Sequence, residues 1–187
     1  MVAQKHLIDI SQIATTEDVL ISLTGFIAVV GNAVPSKSYS NEIDNYDNVI
    51  RLNNFEIDGY ENIIGTKTSL WSTHGSSFII KEKQDIKQAL SPFMKTSVES
   101  GDPANNLKIV YAKNNVSQIM NIGRPTTGGA LLCLFDYLKI PVTSFCFDFF
   151  KGRNYFLEKV SDKSVHTNTL NIEEQYLKSS KYIEFKT

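Results

Sequence analysis

The residues best suited to chemistry lie in one run, Gly123-Arg124-Pro125-Thr126-Thr127-Gly128-Gly129-Ala130-Leu131-Leu132. Hydroxyls and glycines stand there directly before an apolar stretch, Ala130 to Leu138, which reads as a buried helix. Thr127 is placed to act as the N-cap, and the glycines behind it let another molecule approach the backbone closely. Such a helix start presents free amide hydrogens and a partial positive charge, which suit a phosphate. Arg124, just upstream, can add a fixed charge. A helix start that simply packs in a core accounts for the same glycines, so the run alone leaves both readings open.

The elements that must position this corner follow from the apolar runs. A helix is expected from Thr16 to Leu23, with Glu17 and Asp18 early, where acids suit a helix start. Phe26 to Val30 is continuously apolar and ends in Gly31-Asn32, the pattern of a strand buried on both faces. The following Ala33 to Asn48, rich in Ser, Asn, Asp and Pro, is expected to be irregular. Further strands are expected at Val49–Asn53, Lys67–Trp71, Leu107–Ala112, Val142–Phe147 and Tyr182–Phe185, with helices at Glu82–Leu90 and Asn171–Ser180. Lys151 to Val165 is polar with few apolar anchors and reads as a mobile lid.

Strands alternating with helices imply an α/β fold: an open, mostly parallel sheet with helices on both faces. Ligands in such sheets sit at the C-terminal ends of the strands. The polar residues at those ends are Asn32, Asn53, His74, the Thr126-Thr127-Gly128 turn and Asp148. Five polar exits meeting on one rim say more than any single motif. Turn chemistry accounts for the Asn and Gly among them well, and for His74 less well.

At 187 residues, 42% hydrophobic and 21% charged, the chain fits one domain, 1–187, with a full core. A net charge of -1 and scattered lysines exclude a basic field for nucleic acid. No apolar run approaches the roughly 18 residues that span a bilayer, and the N-terminus lacks a signal-peptide core. Cys133 and Cys146 fall inside apolar runs and read as buried free thiols, so a cytoplasmic place, alone or peripheral to a membrane, is expected. The chain has no Gly-x-Ser-x-Gly, no P-loop lysine motif, no Gly-x-Gly-x-x-Gly and no cysteine pair at metal spacing.

Three stretches follow one another: Val29-Val30-Gly31-Asn32, then Ile43-Asp44-Asn45-Tyr46-Asp47-Asn48-Val49-Ile50-Arg51-Leu52-Asn53, then Gly59-Tyr60-Glu61 with Gly65-Thr66-Lys67-Thr68. Together these resemble the long motif of the sialyltransferase superfamily. Arg124 through Phe147 looks like its short motif, and His166 with Glu173 and Glu174 is similar to its terminal His-and-Glu motif. The three come in the family's order and span about four fifths of the chain. Vertebrate Golgi members join the long and short motifs by a disulfide; here Ala28 holds the first position and Lys139 or a neighbour the second. That departure fits a small bacterial or viral member.

The resemblance implies a modified Rossmann-like sheet and a CMP-activated acidic sugar as donor, sialic acid or a keto-sugar such as Kdo, with a glycan hydroxyl as acceptor. It implies that Asn32 and Asn53 hydrogen-bond the cytidine phosphate or the sugar. Thr126, Thr127, Gly128 and Gly129 would cradle ribose, phosphate and carboxylate, and His74 would face the donor sugar. Inverting transfer needs one general base near neutral pH, for which His166 is the candidate; a surface histidine capping a helix is its plainer reading. Tyr155 could donate to the departing phosphate and Arg124 offset its charge, while Phe150 stands where a second tyrosine would be expected. CMP leaves as a monophosphate, so no metal and no other cofactor is expected. A non-catalytic nucleotide- or glycan-binding module on the same fold is the alternative.

Overall fold

The computed structural model describes residues 8–74, 86–95, 107–152, 154–155 and 169–186. At its centre is β1, Ile27–Val30, buried along its whole length. Ile27 and Val29 enter one core with Ile50 and Leu52 of β2, Asn48–Leu52. Ala28 and Val30 enter a second core on the other face with Val49. Burial on both faces is why β1 is continuously apolar, not alternating.

The remaining strands are β3 (Leu70–Ser72), β4 (Gln88–Ser91), β5 (Lys108–Tyr111), β6 (Val142–Phe145) and β7 (Ile183–Lys186). Among the described residues they form one seven-stranded sheet in the order β5-β4-β3-β2-β1-β6-β7, parallel at every pairing. The first core is covered by α1 (Thr16–Ser22), α4 (Val116–Met120), α5 (Thr127–Leu138) and α6 (Leu170–Ser179). The second is covered by α2 (Ser40–Asp44) and α3 (Glu61–Ile64), through Ile43 and Ile64. The chain builds outward from β1 to β5, then crosses back to place β6 against the other side of β1. The strand order therefore reverses at β1 and β6, where crevices form in sheets of this kind.

Several expectations change. Gln88–Ser91, placed in a helix over Glu82–Leu90, is strand β4; residues 82–85 lie outside the described residues. Ile86, Ala89 and Leu90 imitate helical spacing, but Ala89 enters one core and Leu90 the other, as a strand requires. The polar stretch from Ala33 to Asn48 contains α2, because Tyr39 and Ile43, four apart, are both buried. Helix α5 begins at Thr127 and its N-cap is Thr126, one residue earlier than expected. The short helices α3 and α4 were not anticipated.

Arg51 of β2 is fully buried and braces the loop before β3. Its Nε donates to the Lys67 carbonyl at 3.0 Å and its Nη2 to the Ile64 carbonyl at 3.0 Å. Burial pulls this guanidinium down to about 10. Asp44 accepts from the same loop, from the Thr66 amide at 2.9 Å and the Lys67 amide at 2.8 Å, and Asp47 accepts from the Phe26 amide at 2.7 Å. Both aspartates serve turns and strands.

Candidate functional site

A cavity of about 350 Å³ opens where β1 and β6 leave the sheet, a size suited to a small-molecule ligand. Beyond β1, Gly31 donates to the Phe145 carbonyl at 2.8 Å and Ala33 to the Cys146 carbonyl at 3.0 Å, so the two exits stay paired. Gly31 is needed for that approach: a Cβ would overlap the Cys146 carbonyl oxygen and lie 2.8 Å from the Phe147 ring. The Asn32 Nδ2 donates to the Leu52 carbonyl at 3.3 Å. Asn32 lines the cavity, and its Oδ1 is buried without a hydrogen-bond partner. A buried acceptor left unmet is costly.

Asn53, at the β2 exit, adopts a left-handed φ of 49°. Its carbonyl accepts from the Trp71 indole at 2.7 Å and its Oδ1 from the His74 amide at 3.3 Å. The opposite wall is the start of α5. There the Thr126 Oγ1 caps the Gly129 amide at 2.9 Å, and the Thr126 amide and hydroxyl both donate to Glu173, at 2.8 Å and 2.7 Å. Glu173 comes from α6 and is 2% exposed. A Cβ on Gly129 would lie 2.6 Å from Glu173 Oε2, and one on Gly128 would lie 2.5 Å from the Phe147 ring. The space those glycines provide is filled by the chain's own side chains. Among the described residues, the amides of Thr127 and Gly128 are the two of this first turn that form no hydrogen bond.

The third wall follows β6. Cys146, Phe149 and Phe150 have φ of 57°, 53° and 61°, the left-handed region that side chains other than glycine rarely occupy. Asp148 holds this bend, accepting from the Phe150 amide at 2.9 Å and the Gly152 amide at 2.5 Å. The rings of Phe147 and Phe149 pack on Phe185 at 6.3 Å and 5.5 Å. Burial pushes the Cys146 thiol up to about 12, against the pull of Arg51.

Of the sequence candidates, the cavity brings together Asn32, Asn53, Thr126, Thr127 and Gly128, with Asp148 and Phe150. Gly129 stands behind them, against Glu173. His74 is exposed, lies outside the lining, and meets Phe93 edge-on at 5.2 Å. Arg124 is exposed on the turn before α5, where its carbonyl accepts from Thr169 Oγ1 at 3.3 Å. The Tyr155 hydroxyl is turned from the cavity: it donates to the Glu56 carbonyl at 2.5 Å and accepts from the Glu56 amide at 3.1 Å. Burial pushes that phenol up to about 12. His166 and most of the expected lid lie outside the described residues.

The resemblance places Glu173 in the terminal motif and Phe147 at the end of the short motif without giving either a contact; both line the cavity. An acid opening α6 was visible, but its contact with Thr126, 47 positions away, leaves no local mark. Among the described residues no cluster of His, Cys, Asp and Glu fits a metal ion, and no helix is long and apolar enough to cross a membrane.

A family model described as glycosyltransferase family 29 (sialyltransferase) matches residues 26–122, just over half of the chain. The match runs from β1 through α4 and contains both asparagine exits; the α5 start and α6 lie beyond it. No curated protein matches. Among solved structures, a mammalian sialyltransferase is 18% identical over 86% of this chain and 68% of that chain, with a TM-score of 0.51, a likeness of fold. A mammalian sialyltransferase in complex with Gal-beta-1-3GalNAc-ortho-nitrophenol is 19% identical over 85% of this chain and 68% of that chain, with a TM-score of 0.48.

Proposed function

The chain belongs to glycosyltransferase family 29, the sialyltransferases, and from that membership we propose an inverting transfer of a CMP-linked acidic sugar to a glycan hydroxyl. The observation that carries this reading is the cavity at the strand reversal, with Asn32 and Asn53 on one side and the Thr127 and Gly128 amides on the other. The unmet Asn32 Oδ1 calls for a hydrogen-bond donor, which ribose and sugar hydroxyls supply and a phosphate does not. Two adjacent amides at a helix start suit the single phosphate. The phosphate therefore belongs at α5 and the hydroxyls at β1.

In this mechanism an acceptor hydroxyl attacks the anomeric carbon while CMP leaves from the opposite face. His166 removes the acceptor proton, a role suited to a side chain that titrates near neutral pH. Sialic acid and Kdo differ here only as donors, and no metal or other cofactor is required. The test is donor turnover by the wild type and by His166→Ala, with CMP-sialic acid and CMP-Kdo in parallel. A loss of at least about 100-fold in the variant is expected; equal rates would remove His166 as the base.

A second reading, a non-catalytic nucleotide- or glycan-binding module, is favoured by one observation. Tyr155 bonds Glu56 instead of facing the cavity, and Phe150 lines the wall without a hydroxyl. CMP binding with no turnover of either donor would establish that reading.

A further inference from the structure

The cavity lies at the end of the sheet that the strands leave, and the end they enter carries a surface with no part in the proposed transfer. Continuing the β1–β6 register two places back puts Phe26 level with Pro141, and the β6–β7 register puts Pro141 level with Tyr182. Phe26 is 75% exposed, and its ring meets Tyr46 edge-on at 6.5 Å. Helices α1 and α5 lead into the neighbouring strands β1 and β6 and pack on the same core through Val19, Leu20, Leu134 and Phe135. Their last turns therefore reach this same edge, where Ile21 is 60% exposed and Tyr137 50%. Large apolar side chains are ordinary when scattered singly over a surface, but several gathered at one end mark a contact surface.

Lysines accompany them. Lys139 closes α5 and Lys181 precedes β7, both exposed, with Lys181 over the Tyr182 ring at 5.2 Å. Lys67, before β3, donates to the Tyr46 carbonyl. Acids lie here as well, held within the protein: Asp47 accepts from the Phe26 amide at 2.7 Å, and Asp136 from the Tyr176 hydroxyl at 3.0 Å and from Ser180. Glu184 stands further along β7, where it accepts from Thr143 at 3.4 Å. We propose that this edge is a docking surface for a bilayer containing anionic lipid. Phe26, Ile21 and Tyr137 enter the boundary between headgroups and chains, while Lys139 and Lys181 meet lipid phosphates and carboxylates. A second copy of the chain fits less well, because a two-fold contact here brings the lysines of both copies into one interface. Few residues take part, so docking is reversible, and the cavity at the opposite end stays open to water. The surface does not depend on the function proposed above.

The test is cosedimentation of the full chain with vesicles of phosphatidylcholine and phosphatidylserine, beside vesicles of phosphatidylcholine alone. Wild type is expected to bind the mixed vesicles at least about tenfold more tightly, and added salt should weaken that binding. Phe26→Ser should lose at least about fivefold. Lys139→Gln combined with Lys181→Gln should lose about twentyfold, near fivefold for each charge. Ile172→Ser is the control: it removes an apolar side chain 48% exposed on α6, at the cavity end, and should bind as wild type does. The replaced side chains are all exposed, so melting curves should match that of wild type; were Phe26→Ser to unfold, the lysine pair carries the test by itself. Absence of wild-type binding to the mixed vesicles, equal binding to the two compositions, or an equal loss in Ile172→Ser would overturn the proposal. So would self-association that Phe26→Ser abolishes while vesicle binding is absent, a result that assigns the edge to a second copy.

Discussion

The two walls of the cavity use similar residues in opposite ways. At the start of α5, Thr126 and the Gly129 amide are engaged within the protein, and Phe147 fills the space that Gly128 leaves. At the β1 exit, Asn32 keeps a buried oxygen without a partner. A hydroxyl-and-glycine corner looks like a ligand site in sequence, yet much of it serves the chain itself. The plainer asparagine carries the unmet group. Engaged groups should report in stability and unmet ones in binding.

The largest break in this contrast comes from Gly128→Ala. The new Cβ meets Phe147 at 2.5 Å and Leu52 at 2.9 Å. Overpacking of this kind costs about 2–3 kcal/mol, a fall in Tm of about 4–12 °C for a chain of this size. Gly123→Ala is the control, since nothing lies within 4 Å of its Cβ position. Next, Thr126→Ala removes the cap of α5 and one donor to Glu173, so about 2 kcal/mol of stability should be lost in thermal or urea melts. CMP affinity should change little, and a large loss would show that Thr126 faces the ligand.

The reverse profile is expected for Asn32→Ala. Loss of its long bond to the Leu52 carbonyl is offset by removal of the unmet oxygen, so its melting curve should stay near that of wild type, while CMP binding weakens roughly threefold to tenfold, the worth of one hydrogen bond. Equal effects on both would erase the distinction between the walls. Tyr155→Phe sharpens it at a smaller scale. The exchange with Glu56 should contribute about 1 kcal/mol to stability, and donor turnover should be unchanged if the phenol stays there. A fall in turnover without a fall in Tm would return the hydroxyl to the departing phosphate. Smallest of all is a labelling signal. Burial pushes the Cys133 and Cys146 thiols up to about 12, so native protein at pH 8 should react with a thiol reagent only as fast as it unfolds.

What could be read from sequence was what local spacing encodes. The apolar run of β1 announced a strand buried on both faces, the alternation of strands and helices a sheet covered on both sides, and the polar strand exits pointed to its rim. β4 was misread because Ile86, Ala89 and Leu90 fit a helix until flanking strands claim alternate side chains. Thr127 was read as the cap, but the cap is Thr126, the one that meets Glu173 from α6, a contact that local spacing does not display. Phe147 likewise read as strand, and only the fold shows its ring over Gly31 and Gly128. Contacts between residues tens of positions apart decide the site, and no window of sequence displays them.

Asn53, Cys146, Phe149 and Phe150, four of the six non-glycine residues with left-handed backbone among those described, all border the cavity. The other two, Asn121 and Lys139, end helices, where that conformation is routine. Each strained position costs roughly 1–2 kcal/mol. Directed evolution toward heat tolerance alone would therefore draw glycine to positions 53, 146, 149 and 150 first. The hardier proteins it returned would be those whose rim had lost its shape, so endurance and ligand capture compete for the same few bonds.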